Sequence, residues 1–382
     1  MVGEKWLTVD CRRVATPFDP TGGRPGEVRF FLPGPVWVRD AVRQAMSHEA
    51  IGHRGKAFAD LYARILPRLR RVFRTDGFVF TTTSAATGLW EAALANLMPA
   101  RVLALVSGAF SERWAACARD LGLSVDPLET SWGEPVDPSA VERALKRSRY
   151  EAVTVVHSET STGALNDLSS IARVVRERSD AFVLADVVTS FAGSPVEPDL
   201  WRLDFALSGS QKALALPPGL GVAFASERYR ARARERSRCH YLRLSEAETF
   251  AETNQTPYTP STPHLFALDV QLDHILAETL EGRWSRHDAL RRRVERWAEQ
   301  RGHGFVAPEG ARSWTVSCLR PAPGLSSEAL VARVKERGFT IGGGYGKWKG
   351  STFRIGHMGD VDPASLDALL DALDAASAEA VA

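Results

Sequence analysis

One lysine lies where an amine could act as a nucleophile. Lys212 follows a predicted strand over residues 204–207 in the segment Ser208-Gly-Ser-Gln211-Lys212, and Pro217-Pro-Gly219 comes soon after it. Ligands bind at the carboxyl edge of doubly wound sheets. A lysine desolvated there has the lowered pKa that Schiff-base formation requires. Lys212 therefore suggests the chemistry of pyridoxal phosphate.

The other groups that this cofactor needs are also present. Its pyridine nitrogen has to stay protonated to act as an electron sink, which calls for a neighbouring carboxylate. Asp186 ends the apolar run 181–185 and meets this need. Its phosphate needs a turn of small residues that opens a helix, where free N–H groups favour an anion. The segment Thr83-Ser84-Ala85-Ala86-Thr87-Gly88 predicts such a turn.

Other ligand motifs are not supported. The glycine cluster 342–346 precedes Lys347, but Trp348 stands where a P-loop needs Ser or Thr. No GxGxxG motif opens the first strand–helix unit, which disfavours a nicotinamide dehydrogenase. No HExxH spacing is present, and no metal is expected.

The elements that position these residues alternate along the chain. Predicted strands cover residues 77–83, 101–106, 151–156, 181–185, 204–207 and 220–225. Predicted helices cover residues 87–97, 110–121, 138–146 and 168–178. Apolar runs such as 153–156 suit strands buried on both faces of a largely parallel sheet. The pattern predicts an α/β fold with a doubly wound sheet.

A second, smaller unit is expected toward the C-terminus. Two long helices (265–280 and 285–301) are followed by strand 314–319, helix 326–337, strand 352–356 and helix 363–376. We therefore expect an N-terminal arm at 1–25, a large domain at 26–259 and a smaller α+β domain at 260–382, with the N-terminal segment packing on the smaller domain. A length of 382 residues suits two domains.

Composition excludes several classes of protein. The net charge of +2 gives no strong field for a polyanion, so nucleic acid is not an expected partner. The four cysteines include no CxxC pair, which disfavours a disulfide framework and favours a reducing cytoplasm. Neither an export signal nor an uninterrupted apolar run of membrane-spanning length is visible, so no membrane association is expected.

The same residues resemble the class V aminotransferases, in the branch of alanine–glyoxylate and serine–pyruvate aminotransferases. Similar motifs occur in family order over about residues 29–360. They are Leu32-Pro-Gly-Pro35, Gly52-His53-Arg54, Thr83 to Gly88 with Glu91-Ala92, His157-Ser-Glu-Thr160-Ser-Thr-Gly163, Ala185-Asp186, Ser208 to Leu214 with Pro217-Pro-Gly219, Thr256-Pro-Tyr-Thr259-Pro, and Phe353-Arg354-Ile-Gly-His-Met-Gly359. The resemblance implies PLP-dependent transferase fold type I.

The resemblance also implies a role for each position. Lys212 would form the Schiff base, Asp186 would pair with the pyridine nitrogen, and Arg354 would bind the substrate carboxylate beside Gly34. The remaining cofactor contacts would be Ala85, Ala86, Thr87, Phe110, Thr160, Val188 and Gln211. Thr256 and Thr259 would reach the cofactor phosphate of a second subunit, which implies a homodimer with a shared active site.

Three functions remain open at this stage. The first is a ping-pong aminotransferase that moves the amino group of alanine or serine to glyoxylate or pyruvate. The second is a phosphoserine aminotransferase, because His53 and Arg54 resemble residues that bind a distal acid group. The third is a PLP-dependent lyase or cysteine desulfurase. A desulfurase needs a mobile thiolate, whereas Cys318 lies in an apolar strand and is expected in the core.

Overall fold

The computed structural model describes residues 28–381, so the predicted arm at 1–25 lies outside the described residues. Its strands are β1 (Phe30–Phe31), β2 (Phe78–Thr82), β3 (Arg101–Val106), β4 (Ser124–Glu129), β5 (Ala152–Val156), β6 (Ser158–Glu159), β7 (Ala164–Leu165), β8 (Phe182–Asp186), β9 (Phe205–Gly209), β10 (Gly221–Ala225), β11 (Gly304–Phe305), β12 (Val316–Arg320), β13 (Thr340–Gly343) and β14 (Phe353–Gly356).

Its helices are α1 (Asp40–Ala45), α2 (Lys56–Phe73), α3 (Ala86–Ala95), α4 (Ala109–Asp120), α5 (Pro138–Arg147), α6 (Leu168–Arg178), α7 (Glu227–Arg236), α8 (Leu244–Ala251), α9 (Thr262–Glu278), α10 (Leu280–Gln300), α11 (Ser327–Glu336) and α12 (Pro363–Val381). The six strands predicted between residues 77 and 225 all form, as do the four helices predicted between them. Strand β4 was not predicted.

A seven-stranded sheet carries the large domain, in the order β2-β10-β9-β8-β5-β3-β4. Strands β4, β3, β5, β8 and β9 are mutually parallel, and β10 runs antiparallel to both of its neighbours. Strand β2 therefore points the same way as β9. The carboxyl ends of all strands except β10 meet at one edge of the sheet.

Helices cover both faces of this sheet, because successive side chains of a strand point to opposite faces. Val183 belongs to the apolar cluster that includes residues of α2, α6 and α9, whereas its neighbour Leu184 belongs to the cluster that includes residues of α3, α4 and α7. These two apolar layers confirm the doubly wound α/β fold that the sequence predicted.

The smaller sheet has the order β1-β13-β14-β12-β11. Strand β1 pairs in parallel with β13, so the chain near residue 30 joins the C-terminal part of the fold. Helix α9 instead packs its apolar residues on the large-domain core. The division of the chain at residue 260 stays a prediction.

No helix within residues 28–381 is long and apolar enough to cross a membrane.

Candidate active site

Lys212 lies just beyond the carboxyl end of β9 and is 8% exposed. Its Nζ donates a hydrogen bond to the Pro33 carbonyl oxygen. Burial, and then the positive charge of Arg354, lower the pKa of Lys212 to about 8, against the opposing effect of Asp186. About a tenth of this amine is therefore neutral and nucleophilic at pH 7, far more than for a lysine of ordinary pKa.

Gly34 packs directly on the Lys212 side chain. Its φ of +100° is strained for other residues, and a Cβ at this position would lie 2.6 Å from Lys212 Cδ. Only glycine lets the loop after β1 pass this close to the lysine. The predicted substrate-binding position therefore lies beside the reactive amine.

Asp186 ends β8 and is buried. Its Oδ1 accepts a hydrogen bond from the Val188 backbone N–H at 2.8 Å, and its Oδ2 accepts one from Trp90 Nε1 at 2.7 Å. Burial raises the pKa of Asp186 to about 6, while these two hydrogen bonds act in the opposite direction. A carboxyl with this pKa can hold or share a proton with a weak base near neutral pH.

The predicted phosphate turn opens α3. Ala85 is the N-cap residue, and no side chain caps the helix there. The first backbone N–H groups and the positive end of the helix dipole are thus available to an anion. A Cβ on Gly209 would meet Gln211 Oε1 at 2.6 Å and Ala86 Cβ at 3.4 Å, so the Gln211 side chain lies beside this turn. Ala85 and Thr87 are exposed at its surface.

Phe110 lies in the first turn of α4, which follows β3 at the same sheet edge. Its ring stacks on the ring of Tyr345, with centroids 5.3 Å apart and an interplanar angle of 13°. Thr160 is buried, and its hydroxyl lies 2.5 Å from that of Thr189. Both predicted cofactor contacts thus lie at the ends of neighbouring parallel strands.

Arg354 comes from β14 in the smaller sheet. Its Nε donates to the Gly343 carbonyl at 2.9 Å, and Nη1 donates to the Thr160 carbonyl at 3.2 Å. The guanidinium also lies over the Tyr345 ring, 5.5 Å from its centroid. These contacts bring a half-buried cation from the smaller sheet to the edge of the larger sheet where Lys212 lies.

Arg54 contacts the loop that carries Thr256, although the two residues are far apart in the sequence. The Arg54 guanidinium donates to the carbonyls of Thr256 at 2.5 Å and Pro257 at 2.7 Å, and it lies 4.7 Å over the Phe250 ring. Thr259 is exposed, and His53 is half-buried just before α2. Arg54 therefore supports the loop that carries the two threonines.

Glu159 is a site residue that sequence reasoning missed. Its buried carboxylate accepts hydrogen bonds from the backbone N–H groups of Phe110, Ser111 and Ser161, and from the Ser111 and Ser161 hydroxyls. It thereby fixes the start of α4 to the strand end that carries Thr160. An acidic residue three positions after the mostly apolar strand β5 was the available signal.

Trp90 is a second missed residue. It lies on α3, and its indole N–H donates to Asp186 from the helix that also begins at the phosphate turn. The sequence shows only an aromatic residue at a core-facing helical position, which is typical of simple packing.

A family model described as Aminotransferase class-V matches residues 42–317. The serine–glyoxylate aminotransferase of Methylorubrum extorquens is 32% identical over 90% of this chain and 89% of its own length. The L-aspartate–glyoxylate aminotransferase of Paracoccus denitrificans is 32% identical over 88% of this chain and 87% of its own.

A solved structure shows the same fold. The subgroup IV aspartate aminotransferase of Thermus thermophilus superposes with a TM-score of 0.85, at 31% identity, over 92% of this chain and 99% of its own.

Proposed function

Because this chain belongs to the class V aminotransferase family, we propose that it uses pyridoxal phosphate to move the amino group of a small L-amino acid, alanine or serine, to glyoxylate or pyruvate. The reaction would follow a ping-pong course, with one substrate leaving before the other binds. The names of the two curated relatives share glyoxylate as acceptor and differ in the donor. That difference makes the donor the main point to test.

The observation that carries the proposal is the buried amine of Lys212 between the charges of Asp186 and Arg354. The residues fit the cofactor: an amine with a lowered pKa, a buried carboxylate and an uncapped helix start surround one sheet edge. When bound, pyridoxal phosphate supplies an electron sink that stabilises negative charge on the substrate α-carbon.

The chain's own residues would divide the remaining work. Lys212 would hold the cofactor and, once displaced by substrate, carry the α-proton as general acid and base. Asp186 would keep a proton on the pyridine nitrogen. Ala85, Ala86, Thr87 and Gln211 would bind the phosphate, and Arg354 would bind the substrate α-carboxylate through its planar pair of N–H donors.

The two alternatives fit less well. Arg54 already donates both of its terminal nitrogens to carbonyls of its own chain, which argues against a free phosphoserine-binding cation. Cys318 is 1% exposed, and burial raises the pKa of its thiol to about 11, so it is not a mobile thiolate. The core position predicted for Cys318 is confirmed.

We further propose a cytoplasmic homodimer. The support is the exposed Thr259 and the neighbouring Thr256, which the family resemblance assigns to the phosphate site of a partner subunit. Size measurement in solution, with and without pyridoxal phosphate, tests the assembly.

The test of function is a half-reaction screen on the purified protein loaded with pyridoxal phosphate. We expect the visible absorbance band to bleach with alanine or serine and to return with glyoxylate or pyruvate. Lys212→Ala should lose the band and the turnover while keeping its far-ultraviolet circular dichroism. Bleaching by phosphoserine alone would support the alternative substrate, and bleaching by no amino acid would contradict the proposal.

A further inference from the structure

The indole of Trp90 makes a direct side-chain contact with Asp186. Trp90 Nε1 donates to Asp186 Oδ2 at 2.7 Å, and the Val188 N–H donates to the other oxygen at 2.8 Å. Each carboxylate oxygen thus receives one donor from the described residues. Because a carboxylate oxygen has two lone pairs, each retains capacity for a further partner.

The position of the Trp90 ring is fixed from several sides. Trp90 is 4% exposed, and its ring stacks on Trp114 with centroids 6.1 Å apart and an interplanar angle of 16°. The guanidinium of Arg113 lies 5.7 Å from the Trp90 centroid. A ring held this way cannot rotate its N–H away from Asp186 without disturbing the core between α3 and α4.

We propose that Trp90 is a positioning residue that fixes the orientation of the Asp186 carboxylate and keeps it ionised toward the pyridine nitrogen of the cofactor. The inference rests on the proposed function for the identity of that nitrogen base. It goes further by giving a role to a residue that binds neither cofactor nor substrate.

The indole donor influences whether one proton resides on Asp186 or on the ring nitrogen of the cofactor. Burial disfavours the ionised form of Asp186, and a hydrogen bond to that form compensates. Without the indole donor the carboxylate becomes more basic, so a proton shared with the ring nitrogen moves toward Asp186. The electron sink is then weaker, while the substrate carboxylate contact at Arg354 is unchanged.

A first experiment needs no cofactor and no turnover. In 15N-labelled full-length protein, the Trp90 indole resonance is assigned by its loss in Trp90→Phe and is then followed with pH. We expect it to shift as Asp186 titrates, and to lose this titration in Asp186→Asn. If the chemical shift of the Trp90 indole changes neither with pH nor in Asp186→Asn, the proposed contact is wrong.

A second experiment uses the loaded enzyme and a matched control. Trp90→Phe removes the donor but keeps an aromatic ring, and we expect kcat to fall about tenfold or more with KM changed by less than about twofold. Trp114→Phe likewise keeps an aromatic ring stacked on Trp90 and removes only the indole donor, whose Nε1 lies 3.4 Å from the Trp90 carbonyl. It should lower stability to a similar extent while leaving kcat nearly unchanged.

The outcomes separate the two claims. Equal loss of kcat in both variants would make Trp90 a packing residue only and would overturn the inference. If Trp90→Phe fails to fold, the Trp90 indole resonance is assigned through triple-resonance spectra of the wild-type protein instead, and its comparison between wild type and Asp186→Asn still decides. A protein that binds no pyridoxal phosphate would contradict the proposed function, whereas the indole titration would still report the contact with Asp186.

Discussion

Arg354 lies on the smaller sheet but donates to the Thr160 carbonyl of the large domain. Replacing it with lysine keeps the charge and loses the planar pair of donors. We expect Arg354→Lys to raise KM for all α-amino acid substrates together by about ten- to a hundredfold, since about 1–3 kcal/mol of charged hydrogen bonding is lost.

Arg320→Lys is the matched control, because this exposed arginine lies on the neighbouring strand β12 and contacts the Phe305 carbonyl. Its KM values should equal those of the wild type. An Arg354→Lys enzyme whose KM rises for one donor only would assign Arg354 to side-chain recognition instead.

The lowered pKa of Lys212 predicts how the cofactor-free protein reacts with pH. Only the neutral amine attacks the aldehyde, so the rate of loading with pyridoxal phosphate should rise up to about pH 8 and then level off. An unperturbed lysine would continue to gain rate up to about pH 10. Stopped-flow absorbance measures the profile, and a rate still climbing above pH 9.5 would contradict the buried, partly neutral amine.

At the scale of single elements, the start of α4 depends on Glu159. Glu159→Gln replaces an acceptor of five hydrogen bonds with an amide whose NH2 faces the same donors. We expect the free energy of unfolding to fall by about 1.5–3 kcal/mol. Urea denaturation measures this loss.

Glu112→Gln is the control within the same helix turn, where Glu112 contacts Lys347 and Trp132 at the surface. Exposed pairs of this kind contribute about 0–1 kcal/mol. Equal stability losses in the two variants would show that Glu159 does not fasten α4.

The segment at residues 256–259 depends on Arg54. Since Arg54 supports this loop, Arg54→Ala should weaken affinity for pyridoxal phosphate and should damage the reactions of alanine and phosphoserine equally. Lys56→Ala, two residues along and paired with Asp60 at the surface, should change neither. Selective loss of the phosphoserine reaction would assign Arg54 to a distal phosphate.

Across the whole molecule, Asp360 joins segments that are far apart in the sequence. Its carboxylate binds Arg283 at 2.9 Å and Arg39 at 2.7 Å, and both Asp360 and Arg283 are 1% exposed. The two arginines hold the pKa of Asp360 well below its usual range, outweighing burial. Arg283 also donates to the carbonyl of Ala213, the residue after Lys212, at 2.7 Å.

Asp360→Asn should therefore destabilise the protein by about 3 kcal/mol, the lower end of the cost of breaking a buried ion pair, because the buried guanidinium of Arg283 keeps only Glu278 as a counter-charge. Asp60→Asn, at an exposed pair, should cost about 1 kcal/mol or less. Thermal and urea unfolding measure both changes. A loss for Asp360→Asn as small as that of Asp60→Asn would mean that the buried ion pairs of Asp360 do not stabilise the fold.

The sequence determined most elements because local patterns carried them. The predicted strand at 151–156 and helix at 168–178 match β5 and α6 closely, since a mostly apolar run and a capped amphipathic repeat are local signals. Strand β4, at the edge of the sheet, was not predicted because Asp126 and Pro127 interrupt its apolar pattern. An edge strand is buried on fewer sides, so its sequence is less constrained.

The sequence alone also predicted which residue types form the site. Lys212 and Asp186 stand at the ends of apolar runs, and a parallel sheet brings such ends to one edge. That is a consequence of topology that the order of elements already implies.

Only the tertiary structure decided the contacts between distant segments. The pairing of β1 with β13, the antiparallel insertion of β10, and the donation from Trp90 to Asp186 join residues whose local patterns fit several partners. The sequence of an apolar strand does not determine which strand pairs with it. The position of a buried tryptophan in the sequence does not determine which group accepts its N–H hydrogen bond. These choices follow from simultaneous packing of both sheets, because buried polar groups such as the Trp90 N–H find their partners only in the complete fold.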